Sequence, residues 1–163
     1  MKKFIYLVLL IFAHEFVFAQ ANVQDGIYLV DQLTKNSQIS PKDNKAALQF
    51  NRFFVNDETG NYPPVVVHTD DFVPLELADL PVIQHELDNN DQLIVKLTSN
   101  ASERLREFTA RNMMGYVAVV VDTEVLAIYK VVQPVAGTFI KITKCDGQGC
   151  DQVYYRLRRS IRR

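Results

Sequence analysis

The sequence predicts an α+β fold: a mostly antiparallel sheet with one main helix packed on it. Three observations predict it. Short blocks of β-branched and aromatic residues, most of strand length, run through the chain. The segment Ser99 to Met114 spaces its apolar residues as a long helix does. Strands and helix come in separate runs rather than in alternation, which favours antiparallel hairpins over a parallel sheet. The composition agrees. The chain has 163 residues, 48% hydrophobic and 23% charged, with a formal net charge of −1. These are the proportions of one globular domain, and they exclude a disordered or collagen-like chain.

At the start, Met1-Lys2-Lys3 precedes ten apolar residues, Phe4 to Ala13, and Val17-Phe18-Ala19 follows. A positive start, an apolar stretch and small or aliphatic residues before a cleavage point are the layout of a secretory signal. Residues 1–19 are read as that signal, cleaved near Ala19-Gln20. The alternative, a retained anchor, needs about 20 apolar residues, and His14 and Glu15 interrupt the run. The expected location is the periplasm, with at most peripheral membrane contact. The rest divides into N-terminal strands and loops at 20–63 and an α+β unit at 64–163 that ends in a hairpin.

Gly26 to Val30 reads as a strand, and residues 34–45 as a polar, turn-rich loop. Leu48, Phe50, Phe53, Phe54 and Val55 suggest an irregular strand, and residues 56–61 a turn. Val65 to His68 is a buried strand, residues 70–79 a short helix or turn, and Val82 to Leu87 an extended segment. Leu93, Val95 and Leu97 alternate with polar neighbours, the mark of a half-buried strand. Ser99 or Asn100 can cap the helix that follows. Ala101, Leu105 and Phe108 share its inner face, and Gly115 ends it.

Tyr116 to Val121 is a continuous run with four valines, expected to be buried on both faces. Asp122-Thr123 turns it into a partner, Val125 to Val132. Pro134 to Gly137 breaks that strand, Thr138 to Lys144 forms the next, and residues 146–149 turn into a last strand, Val153 to Leu157. Charge is unevenly spread. Nine acids and no Lys or Arg lie between Asp57 and Asp91, whereas twelve basic residues face six acids from Lys96 to Arg163. The basic end can touch lipid phosphates; export argues against nucleic acid.

Chemistry-bearing residues are few. Cys145 and Cys150 flank a turn in a chain expected to be exported, so a disulfide between them is predicted. His68, Asp70, Asp71, His85, Glu86 and Asp88 form the one set that resembles metal ligands. Their spacing fits no HExxH or EF-hand pattern, so His68, Asp70, Asp71 and His85 are weak candidates and no metal or other cofactor is expected. No GxSxG elbow occurs, and no catalytic set emerges. The expected class is a non-enzymatic binding module; a metal-dependent hydrolase would need the 68–88 cluster to converge.

Val65 to Asp71, Leu93 to Thr98, Ala101 to Asn112 with its F-T-x-x-N ending, Gly115 to Asp122, Val132 to Val135 and Phe139 to Thr143 resemble the head subdomain in the first periplasmic region of SecD. SecD is half of the SecDF accessory motor of bacterial protein export. The resemblance implies a ferredoxin-like α+β head that contacts polypeptide and has no catalytic residues. It also implies a protein or peptide partner in the cell envelope. A role as an accessory of Sec-dependent export, beside the Sec translocon, is a second reading. Asp122-Thr123 departs from the usual D-G turn, and the chain lacks the apolar spans of a motor. Strand addition to a sheet edge is the expected docking mode, on the final hairpin, 138–158, or beside the exposed face of the helix.

Overall fold

The computed structural model describes residues 23–33, 44–50, 63–85, 91–145 and 147–161. Their elements are β1 (Gly26–Leu33), β2 (Lys45–Phe50), β3 (Val65–Pro74), β4 (Val82–Gln84), β5 (Asp91–Lys96), α1 (Ser99–Arg111), β6 (Tyr116–Val121), β7 (Glu124–Lys130), β8 (Phe139–Cys145) and α2 (Gly147–Ser160). The expected signal at 1–19, its cleavage point, residues 34–43 of the expected loop and the expected turn at 56–61 lie outside the described residues, and Lys45, expected to close that loop, begins β2. The fold is α+β, with a main helix packed on mostly antiparallel strands.

The strands divide between two sheets. β1, β3, β2, β7 and β6 close into a barrel in that order, and β4, β5 and β8 form a separate three-stranded sheet. All pairings are antiparallel except β2 with β7. Register shifts in β1 around Val30 bend that strand between β3 and β6, as barrel closure requires. The expected division at 63/64 runs through this barrel, because β1 and β2 pair with β3 on either side.

Valines account for the placement of β6. Val117, Val119 and Val121 face a core shared with both helices and the small sheet, while Ala118 and Val120 point into the barrel. β6 is buried on both faces, and its β-branched side chains suit that pleated setting. Tyr28 fills the barrel beside these residues, with its ring stacked on Phe72 at 4.6 Å. Burial pushes the Tyr28 hydroxyl up to about 12, so it stays a donor, to the Gln24 carbonyl at 2.7 Å.

The cap of α1 lies one residue before Ser99 and two before Asn100, the expected caps. Thr98 is the N-cap: its hydroxyl accepts the Ala101 N–H at 3.2 Å. Ala101, Leu105 and Phe108 are buried, as their spacing predicts. The helix ends at Arg111 rather than Met114, because the Met114 N–H leaves the helix to bond the Val131 carbonyl at 2.8 Å and Met114 has turned to φ 66°.

Two local expectations are corrected. Residues 70–74 continue β3 instead of turning, because Tyr28, Ile27 and Gly26 pair with Phe72, Val73 and Pro74. The final strand, and with it the 138–158 hairpin, is absent: β8 is followed by helix α2. Cys150, Val153 and Leu157 are fully buried with Tyr154 packed beside them. That is the i, i+3, i+4, i+7 stripe of a helix. Gly147 and Gly149, read as turn residues, lie in its first turn. Among the described residues no helix is long and apolar enough to cross a membrane.

Candidate functional site

The residues singled out from sequence serve the fold. His68 Nε2 lies 3.2 Å from Asp31 Oδ1, and Lys45 donates to the same carboxylate at 3.0 Å. This pairing holds the Asp31 carboxyl below its ordinary value, chiefly through the Lys45 hydrogen bond. Asp70 accepts from the Asn44 amide at 3.1 Å, and Asp71 from Arg111 at 2.9 Å. His85 sits on the other sheet, 3.1 Å from Asp91. Glu86 and Asp88 lie outside the described residues, and the described members of the 68–88 set do not converge: His68 is in β3 of the barrel and His85 follows β4 of the small sheet, each beside its own aspartate. Among the described residues no three His, Cys, Asp or Glu side chains are grouped to hold a metal. Cys145 and Cys150 lie at disulfide distance, with α-carbons 5.4 Å apart, and join the end of β8 to the start of α2.

The F-T-x-x-N sequence has a structural account too. Phe108 is in the core. The buried Thr109 hydroxyl donates to the Leu105 carbonyl at 2.7 Å and accepts the Val135 N–H at 2.9 Å. Asn112 donates to the Phe108 carbonyl at 3.0 Å. Ser102 adds a bond to the Gly137 carbonyl at 2.8 Å. Helix α1 thus straps down the segment between β7 and β8 and sets where β8 begins.

The small sheet leaves apolar area exposed on one face. Its inner face, with Leu93, Val95 and Ile142, packs in the core with α2 on that side. On the opposite face the register aligns Val82, Ile94 and Lys141 in one row, and Lys96 with Phe139 in the next. Phe139 is 66% exposed and Val82 58%. Leu80, just before β4, is also exposed. Lys96 Nζ lies 5.8 Å above the Phe139 ring and 3.0 Å from Asp79. Apolar side chains of this size are normally covered, and clustered with cations they mark a contact surface.

β8 is the end strand of this sheet. The Leu97 N–H donates to the Thr138 carbonyl at 2.7 Å. In an antiparallel pair the direction of the peptide groups alternates, so those of Phe139 and Lys141 turn to the outer edge. Further along, the Tyr129 hydroxyl donates to the Ile142 carbonyl at 3.1 Å; burial raises the Tyr129 pKa and keeps that donor protonated. The edge is thus stoppered near Ile142 and presents Phe139 and Lys141 before it. Sequence reading put these residues in a docking hairpin, 138–158, whose second strand is absent, and it did not find the open face, because the partners of Phe139 come from β4 and β5.

No family model matches the chain, and no curated protein matches it. Two solved SecDF structures are similar in fold. The crystal structure of SecDF in its super-membrane-facing form is 16% identical, with a TM-score of 0.51, over 82% of this chain and 18% of that one. A structure of SecDF, described as a membrane component that enhances protein export, is 21% identical, with a TM-score of 0.47, over 55% of this chain and 43% of that one. The chain spans less than half the length of either SecDF chain.

Proposed function

We propose that this chain, with its SecDF-like fold, is a non-enzymatic binding module of the cell envelope that holds extended polypeptide along β8. The carrying observation is Phe139, 66% exposed on an end strand whose neighbouring rows offer Val82, Ile94, Lys96 and Lys141. An added strand gains backbone hydrogen bonds at the outer edge, and its side chains meet an apolar face with two lysines. Export is supported by the lysine-led apolar start of the sequence and by the paired cysteines. The non-enzymatic reading is supported by the structural partners of His68 and His85.

Fluorescence anisotropy with a reduced, alkylated unfolded protein as probe tests the proposal. Binding is expected to weaken at least tenfold in Phe139→Ser, and in Lys141→Pro, which removes an outward N–H. Equal affinity in wild type and both variants overturns it. The SecDF-like fold favours a second, narrower reading, an accessory of Sec-dependent export. Recovery of translocon subunits by crosslinking from residue 139 supports that reading, and recovery of other envelope proteins alone removes it.

A further inference from the structure

The last turns of α2 hold a concentration of arginine that polypeptide docking on β8 does not use. Within α2 these are Arg156, Arg158 and Arg159, and the sequence from Arg156 onward contains no acid. Gln152, Tyr155, Arg156, Arg158 and Arg159 line an open concavity of about 540 Å³. Arg156 is engaged by the β6–β7 turn, 2.7 Å from Glu124 and 3.6 Å from Asp122. Arg159 pairs with the same Asp122 carboxylate at 3.7 Å, but its side chain is 73% exposed against 25% for Arg156. Beside these cations Tyr155 is 59% exposed and Ile161 37%. The apolar stripe of α2 is already spent in the core, so Tyr155, Arg158 and Arg159 form a second, outward stripe, whereas Ile161, four residues after Leu157, follows the core stripe.

We propose that this outer face of α2 docks on an anionic phospholipid bilayer, with headgroup phosphates against Arg158 and Arg159 and the Tyr155 ring at the interface. Charge complementarity supplies the attraction, and planar guanidinium groups suit phosphate oxygens. Tyr155 decides the occupant. An exposed amphipathic ring beside arginines fits a surface with phosphate outside and hydrocarbon beneath, which a free anion does not offer. Because Val153 and Leu157 stay in the core, the helix lies on the bilayer rather than crossing it.

Co-sedimentation of the purified protein with vesicles of phosphatidylcholine, with and without phosphatidylglycerol, tests this. Binding is expected only to the anionic vesicles and is expected to fall with salt. Arg158→Gln/Arg159→Gln lowers partitioning about 30-fold, the scale for two arginines near a charged surface. Lys96→Gln/Lys141→Gln removes the same charge from the β8 face and leaves partitioning unchanged. Tyr155→Ser, which leaves every arginine in place, also weakens binding. Equal binding to neutral vesicles, equal loss in the two double variants, or release by inorganic phosphate at matched ionic strength overturns the proposal.

Discussion

Replacing Thr109 by valine separates a structural reading of the F-T-x-x-N sequence from any other. Valine keeps the shape and branching of threonine and has similar helix propensity, but it removes the oxygen that accepts the Val135 N–H at 2.9 Å. The hydroxyl's own bond, to the Leu105 carbonyl, is also lost, but that carbonyl belongs to helix α1. The orphaned N–H dominates the cost, and leaving such a donor unsatisfied costs about 1–3 kcal/mol. We take about 2 kcal/mol. Thr109→Ser keeps the hydroxyl and loses one buried methyl, about 0.8 kcal/mol. At roughly 2–4 °C per kcal/mol for a chain of this size, Thr109→Val is expected to melt about 4–8 °C below wild type and Thr109→Ser about 2–3 °C below. Thermal unfolding by circular dichroism measures both, and faster amide exchange at Val135 in the valine variant locates the damage. The reasoning fails if the valine variant melts with wild type, or if serine proves the worse replacement.

Three further outcomes are expected. Asp122 and Thr123 sit at φ 50° and 66°, a two-residue turn that glycine suits better than a β-branched residue; Thr123→Gly is expected to stabilise by about 1 kcal/mol, seen as a higher urea midpoint, and a lower midpoint refutes it. A bond between Cys145 and Cys150 closes a short loop, so full reduction is expected to cost about 2 kcal/mol; an unchanged midpoint after reduction, checked by thiol alkylation and intact mass, refutes it. The Asp31 carboxyl is held below its ordinary value of 3.8, so its contribution is present above that pH and is lost as pH falls through the lowered folded value. Stability curves of wild type and Asp31→Asn should therefore lie apart at neutral pH and converge in strong acid; a constant gap refutes the assignment.

Legibility in the sequence followed the range of the forces involved. β5, α1 and β6 were readable because alternation, helical spacing and a valine run each report burial locally. The stretch Val153 to Leu157 was misread because five residues with apolar ends satisfy either period; what decides is whether a strand partner or a core lies alongside. Residues 70–74 were misread for a related reason. Two acids beside Phe72 look like a surface turn, yet pairing with Gly26 to Tyr28 holds them in β3, and Arg111 takes up Asp71. His68 and His85 looked like one cluster on a line of sequence, and the division into two sheets separates them.

By itself the sequence determined the α+β class, the buried face of α1, the double burial of β6 and the proximity of the two cysteines, since each depends on neighbours within a few residues. Tertiary structure alone decided that the strands split into a barrel and a separate sheet, that the chain after Cys145 is helical, and that Phe139 is exposed. Those outcomes turn on which distant strands satisfy one another's backbone hydrogen bonds, and an outward-facing phenylalanine reads the same along the chain as a buried one until its partners across the sheet are known.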